Sequence, residues 1–542
     1  MTHRSGSRNA ILISCVLPAL FMILLGACAK TSTPAAPGAQ ETPDAADTEA
    51  PSVPAGLVAS TVSDTRISLL WSASTDNVAL GGYRVFRDGA AIALTAATSY
   101  LDTGLAAGSS YSYQVSAFDT SGNESARSVP ETGTTSGGGS GGTTYRVGPT
   151  RSYTTIGQVV GLLGPGDLVL VDGDAVYAGG ITFAHAGTRG EPITIRGVRV
   201  DGARPVIDGG RDVVEFNENN YVFEGFEIRN STFRGLFHHA DNITIRDCVV
   251  HDCPHGILGA DEGSGDLTVE YCEVYHCGEG DGRHQIYAAT NENDYPGSVF
   301  RLRFCYIHDG TGGENVKSRA ERNEIYYNWL ENPYYHNLEL IGPDPSGGVA
   351  EDKAREDSDV VGNVIIAKRY SRNVRIGGDG TGQTRGRYRF MNNTFIHRSG
   401  DPASQIFAHF AVESVEMHNN VFYMTSAKVF DDSEASWVYG RRVSGANNWV
   451  RSGIGYPSEW TGTLTGASPG FVDLANNLLR PAAGSMLIDA GTETTTSPAG
   501  SPFPNPLAAP LFHPPQAALI PVGTGESRPA DGAIDIGAFE RE

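Results

Sequence analysis

An all-β chain, built as a parallel β-helix preceded by a small β-sandwich, is predicted by three features of the sequence. A loose strand-like unit recurs from Val147 onward, a second strand with an aliphatic inward residue follows each unit, and residues 51–136 alternate apolar and polar residues over short turns. Composition agrees. The 542 residues include 67 Gly but only 5 Trp and 6 Met, which suits strands, turns and bulges better than a helical bundle. Glycine has no three-residue period and apolar residues make up 40%, which excludes collagen and wholesale disorder. The length allows two or three domains. With 40 basic against 62 acidic residues the net charge is −22. Such a field has the wrong sign for a general binder of nucleic acid or anionic membranes, so no nucleic-acid partner is expected.

The N-terminus reads as a targeting segment. His3, Arg4 and Arg8 precede an apolar run from Ala10 to Ala27, and Leu25-Gly26-Ala27-Cys28 closes it. The position, the basic flank and the small residues favour a signal peptide over a transmembrane helix. The tetrapeptide resembles the lipobox of bacterial lipoproteins. That resemblance implies a signal peptide of residues 1–27, lipidation of Cys28 and a membrane contact through that lipid. With Ala rather than Asp at position 29, it also implies the outer membrane or surface of a Gram-negative cell envelope. The alternative is an ordinary secreted protein with an incidental cysteine. Residues 28–50, rich in Ala, Thr, Pro, Asp and Glu, read as a disordered acidic spacer.

In residues 51–136, Ile67, Leu69 and Trp71 share a face, as do Tyr111, Tyr113, Val115 and Ala117, and Gly81-Gly82, Asp88-Gly89 and Ser121-Gly122-Asn123 mark turns. Trp71, the Leu105–Tyr111 spacing and the run Tyr83 to Gly89 resemble a fibronectin type III sandwich, which implies a spacer or weak docking module with core aromatics. Residues 137–142, Gly-Gly-Gly-Ser-Gly-Gly, form a flexible linker.

The remaining segment, 143–542, repeats. Units end at Phe226, Cys248, Cys272, Cys305, Asn328, Asn363, Asn393 and Asn420, advancing by 22, 24, 33, 23, 35, 30 and 27 residues, one coil each with loop insertions. The run of asparagines predicts a hydrogen-bonded ladder. The second strands carry Leu236, Ile257, Ile286, Val316, Leu338, Val374 and Ile406 inward. Two strands per coil are expected. The opening (Tyr153 to Ile156, a short helix to Leu163, then Gly164 to Val171) and the close (Pro469 to Asp473, Leu487 to Gly491, Asp535 to Glu540) resemble the pectate-lyase-like right-handed β-helix superfamily. The resemblance implies fold more than activity, since this fold hosts lyases, hydrolases, epimerases and adhesins.

Cys248 and Cys272 are 24 residues apart, as are Cys253 and Cys277, so each pair stacks one coil apart. A disulfide is allowed at a strand spacing of about 4.8 Å. Buried thiols are the alternative, chiefly for Cys248, Cys272 and Cys305, whereas Cys253 and Cys277 lie past the strand and could pair.

Function in a solenoid is expected on the outward face of one strand row. Beyond the inward aliphatics, that row reads Phe237, Leu258, Tyr287, Lys317, Glu339, Arg375 and Phe407, with Arg319 two residues past Lys317. Gln285, Asn315, Asn337 and Asn373 are expected on its border, and His284, Glu314, His336 and Arg372 form a row at the strand entry. Residues 368–389 hold seven cations, among them Lys368 and Arg369, against Asp379 alone. This local positive field suits an anionic, uronic-acid polysaccharide.

The expected activity is that of a surface-tethered carbohydrate-active protein, first a polysaccharide lyase working by β-elimination. Lys317, Arg319, Glu339, Arg375 and His336 are the catalytic candidates. Tyr287, Asn315, Asn337, Arg372 and His284 are the substrate-binding candidates. Lys317 fits the base of lyases resembling alginate lyases and chondroitinases, although the place one coil later, where those carry Arg, holds Glu339. A hydrolase or epimerase, a non-catalytic glycan-binding surface protein, and a purely structural ladder of Lys317, Glu339 and Arg375 remain open. Ca2+ could be held by Glu314, Glu339 or Asp281. No feature of the sequence sets an oligomeric state.

Overall fold

The computed structural model describes residues 47–541, apart from 62–65, 96–97, 107, 136–141, 260–262, 343–355, 368–371, 380–383, 399–403, 425–427, 505–509 and 529–532. The proposed signal peptide, Cys28, most of both linkers, Lys368, Arg369 and the centre of the 342–359 loop lie outside the described residues.

The small module packs a three-stranded sheet (Val58–Thr61, Arg66–Leu70, Ser99–Thr103) against a four-stranded one (Ala90–Thr95, Leu80–Arg87, Ser110–Asp119, Glu131–Thr134), all antiparallel. Alternation in each strand sends Ile67, Leu69, Tyr83, Val85, Tyr113, Val115 and Ala117 into one core with Trp71 and Leu105. Trp71 meets Tyr83 edge to face at 5.4 Å. The Tyr111 hydroxyl accepts the Ala106 N–H at 2.9 Å, a tyrosine corner that ties the loop to the strand. Trp71, Tyr83 and Tyr113 are therefore core residues.

The larger region is a right-handed parallel β-helix of three all-parallel sheets with 12, 12 and 10 strands. Each coil contributes three strands, where the sequence predicts two. The extra strands, such as Val249–His251, Glu273–Tyr275 and Tyr306–His308, are three residues long, too short to show alternation in sequence. They form the second sheet. The predicted inward residues of the third sheet stack in register from Leu236 through Ile257, Ile286, Val316, Leu338 and Val374 to Ile406. The short helix at the opening is two 3₁₀ turns, Ile156–Gln158 and Val160–Leu162.

The corner between the first and second sheets explains the repeat. In successive coils one residue takes a left-handed conformation, as in Asp247, Asn392 and Asn419, and the next residue turns inward. Those inward residues are Cys248, Cys272 and Cys305, then Asn328, Asn363, Asn393, Asn420 and Asn448. Each asparagine from Asn328 to Asn420 donates to the next one's Oδ1 at 3.0 Å, and each from Asn328 to Asn448 also donates to a backbone carbonyl of the preceding coil. The expected asparagine ladder is present and satisfies buried amides that strand pairing leaves unpaired at the bend.

After the last strand of the second sheet, Leu464–Gly466, the chain wraps back. Ser497, Ser501 and Pro502 bond Glu416, Arg442 and Arg387 on the first sheet's outer side. Phe512 packs on the stacked corner aromatics Phe304 and Tyr327. Leu479, Ala538 and Phe539 cover Trp329, Val364, Ile366 and Ile396 of the second sheet. The chain's own tail thus packs on later coils of two of the three faces.

Candidate functional site on the third sheet

The outward row of the third sheet is as the sequence predicts: Phe237, Leu258, Tyr287, Lys317, Glu339, Arg375 and Phe407 are paired in that order. Parallel pairing puts neighbours about 4.8 Å apart, so charges of opposite sign meet. Glu339 lies between two cations, with Lys317 Nζ at 3.1 Å from Oε2 and Arg375 Nη1 at 2.6 Å from Oε1. The carboxylate is 2% exposed, whereas the side chains of Lys317 and Arg375 are 16% and 18% exposed. The acid is the buried centre of a clamp whose cationic ends reach solvent. Lys317 also lies 5.7 Å from the Tyr287 ring centroid, and Arg375 Nη2 is 2.7 Å from His409 Nδ1.

At the strand entry, His284, Glu314 and His336 meet across adjacent coils. Glu314 has His284 Nδ1 at 2.6 Å and His336 Nδ1 at 3.4 Å. Burial alone would raise the Glu314 pKa, but hydrogen bonding and charge from the two imidazoles hold it well below the usual carboxylate range. The row extends one coil further to His255, which the sequence reading passed over although it stands two residues before Ile257, as His284 does before Ile286. Burial, then the charge of His284, pushes His255 down to about 4. Beside the row, Tyr334 and Tyr335 are 40% and 47% exposed, and Tyr335 packs on His336 with ring centroids 4.1 Å apart.

Three expectations need correction. Asn315 and Asn337, with Gln285 and Asn373, do not border the face: all four are fully buried. They form a second amide ladder, from Gln285 through Asn315, Asn337 and Asn373 to Gln405 at 2.6–2.8 Å, and each of the first four also donates to a carbonyl of the second sheet's strands. They stand at the bend before the strand, where alternation does not apply. Arg319 is not part of the clamp. It is 5% exposed, bound to Asp379 and to the Gly342 carbonyl at 2.7 Å. Arg372 leaves the entry row for Ser404 at 3.3 Å and Asp431 at 3.6 Å, lying over Phe407.

Glu314, His336 and Glu339 each offer one ligand atom, all within 4.8 Å of one another, so these three could hold a divalent ion. An imidazole with two carboxylates is a mixed donor set more usual for transition metals than for Ca2+. Asp281 is exposed at its turn and outside this group.

Comparison with known proteins agrees with the architecture. The family described as "Right handed beta helix region" matches residues 179–365. Among curated proteins, the chain is 42% identical over 113 residues to an alpha-amylase of Niallia circulans, covering 21% of this chain and 9% of the amylase. It is 46% identical over 111 residues to chitinase Chi52 of Paenibacillus xylanexedens, 20% of each protein. It is 51% identical over 85 residues to exoglucanase B of Cellulomonas fimi, 15% of this chain and 8% of that one. The chain therefore spans a fifth or less of the length of these relatives, and the matched stretches are nearer in length to the small sandwich than to the solenoid. Among solved structures, pectate lyase Pel9A superposes at 13% identity and a TM-score of 0.43, covering 75% of this chain and 98% of that one. A family 28 exopolygalacturonase of Yersinia enterocolitica does so at 11% and 0.28, covering 77% and 99%.

Proposed function

We propose that this chain is a carbohydrate-active enzyme that cleaves a polysaccharide laid across the outer face of the third sheet, and that it works tethered at the cell envelope through Cys28. One observation carries the reading: the third sheet presents the Lys317–Glu339–Arg375 clamp, its cationic ends reaching solvent, beside Glu314 and His336.

Two cleavage chemistries fit. In elimination, the solvent-facing donors of Lys317 and Arg375 neutralise a uronate carboxylate, which acidifies the adjacent C–H. His336, oriented through Nδ1 by Glu314, takes that proton; the C–O bond to the leaving sugar breaks as the C=C bond forms, and the leaving oxygen is protonated from solvent. Lys317 is then an electrostatic group and not the base. Hydrolysis is the second reading, and the names of the curated relatives (amylase, chitinase, exoglucanase) favour it over elimination. It would use the adjacent Glu314 and Glu339 carboxylates. With Glu314 held anionic, the proton donor would be an imidazole.

The test is incubation of the purified protein with uronic-acid and neutral polymers, with and without Ca2+ or Zn2+, following both unsaturated-uronate absorbance and new reducing ends. Absorbance lost in Lys317→Ala and His336→Ala supports elimination. Reducing ends without absorbance, lost in Glu339→Gln, support hydrolysis. Polymer bound but unchanged would leave a glycan-binding surface protein, and neither cleavage nor binding would overturn the reading.

A further inference from the structure

At the corner between the second and third sheets, two cysteines occupy equivalent places in adjacent coils. His251 pairs with Tyr275 in parallel register, so Cys253 and Cys277, each two residues further on, are stacked. Each follows a left-handed residue, Asp252 and His276, that turns the side chain inward. Cys253 is 2% exposed and Cys277 fully buried. The Cys253 thiol donates to the His251 carbonyl at 3.3 Å and the Cys277 thiol to the Val250 carbonyl at 3.8 Å. The strand residues facing them are glycines: a Cβ on Gly235 would lie 3.2 Å from Cys253 Sγ, and one on Gly256 3.1 Å from Cys277 Sγ. From the next coil onward the same space is filled by the Gln285 and Asn315 side chains. The corner thus makes room for a sulfur pair in these two coils and for amides in the coils that follow.

We propose that Cys253 and Cys277 are a cross-linking site, joined as a disulfide in the exported protein by exchange with a protein or small-molecule disulfide. The Cys253 thiolate attacks the donor disulfide and displaces one thiol; the Cys277 thiolate then attacks the mixed disulfide and displaces the second. Two S–H bonds are lost, one S–S bond forms, and the donor is reduced to two thiols. Adjacent parallel strands place such residues within the Cα separation a disulfide spans. The two members of the pair differ. The neighbouring Cys277 thiol holds Cys253 below the ordinary thiol range, which favours the thiolate. Burial pushes Cys277 well up, as it does Cys248 and Cys272, so Cys253 is the attacking thiol. The bond would pin the two chain segments that deliver His255 and His284 to the entry row, since Cys253 precedes His255 by two residues and Cys277 opens the loop leading to His284.

The experiment is peptide mapping by mass spectrometry on the full chain, expressed through its own export signal, with free thiols blocked by iodoacetamide in denaturant before digestion. The expected result is a Cys253–Cys277 peptide pair lighter by two hydrogens and cleaved by reductant, with Cys248, Cys272 and Cys305 alkylated. Alkylation of all five, or a link joining Cys248 to Cys272, would overturn the proposal. Incubating reduced protein with oxidised glutathione gives a second readout: the pair should close in the wild type, and Cys253→Ser should leave Cys277 alkylated. The result does not depend on whether the third sheet cleaves sugars.

Discussion

Glu356 shows how much one buried side chain can decide. It lies fully buried inside the solenoid, with Tyr388 Oη at 2.9 Å, Ser358 Oγ at 3.0 Å and Asn323 Nδ2 at 2.9 Å. Burial pushes it up to about 8 despite those hydrogen bonds. The native state therefore keeps a proton that the unfolded chain releases near 4.5. Stability from this group is complete below about pH 4.5, falls as pH rises and is lost once pH passes about 8. Glu356→Gln keeps an amide in place of the acid and cannot titrate. Its thermal midpoint should be flatter than the wild type's between pH 5 and pH 8; equal slopes would show that Glu356 is ionised in the native protein. At the site, Glu339→Gln removes the charge that Lys317 and Arg375 share. It should lower turnover by roughly 100-fold, the scale of one lost preorganised electrostatic contact, read as kcat on whichever polymer is cleaved. The row of Lys317, Glu339 and Arg375 was legible residue by residue because register follows from the inward aliphatics. The partner of Arg319 was not, because Asp379 lies 60 residues away and meets it only through coil stacking.

At the scale of the element, the amide ladders set the corners. Asn363 accepts from both the backbone N–H and the side chain of Asn328 and donates to Ile325 O and Asn393 Oδ1. Asn363→Ala leaves buried groups unpaired on both neighbouring coils and should cost about 3 kcal/mol. Asn448→Ala, at the ladder's end, breaks its contacts with Asn420 and Met417 and should cost about half as much. Guanidinium unfolding of the two variants checks the order, and equal midpoints would mean that the ladder does not act as a chain. The first ladder was visible as a run of Asn at unit ends. The second was misplaced to the surface because alternation counted back from Val316 or Leu338 fails at a bend. The third strand of each coil was missed for a related reason: three residues between two left-handed corners carry too little pattern to register.

For the whole molecule, the tail packs over later coils of the second sheet. Phe539 is 2% exposed and packs with Trp329, Val364, Ile366 and Ile396. Phe539→Ala should destabilise by about 3–5 kcal/mol and raise the binding of an apolar dye, while polymer binding to the third sheet stays unchanged. A parallel loss of polymer binding would show that the two faces are coupled.

The sequence by itself determined the repeat, the inward aliphatic column, the asparagine corner and the order of the charged row, because each recurs once per coil and periodicity is a local property. The tertiary structure alone decided which of those charges pair, that the second amide column faces inward, and on which coils the tail packs. Those outcomes depend on which coils become neighbours and on the path of a tail that has no repeat.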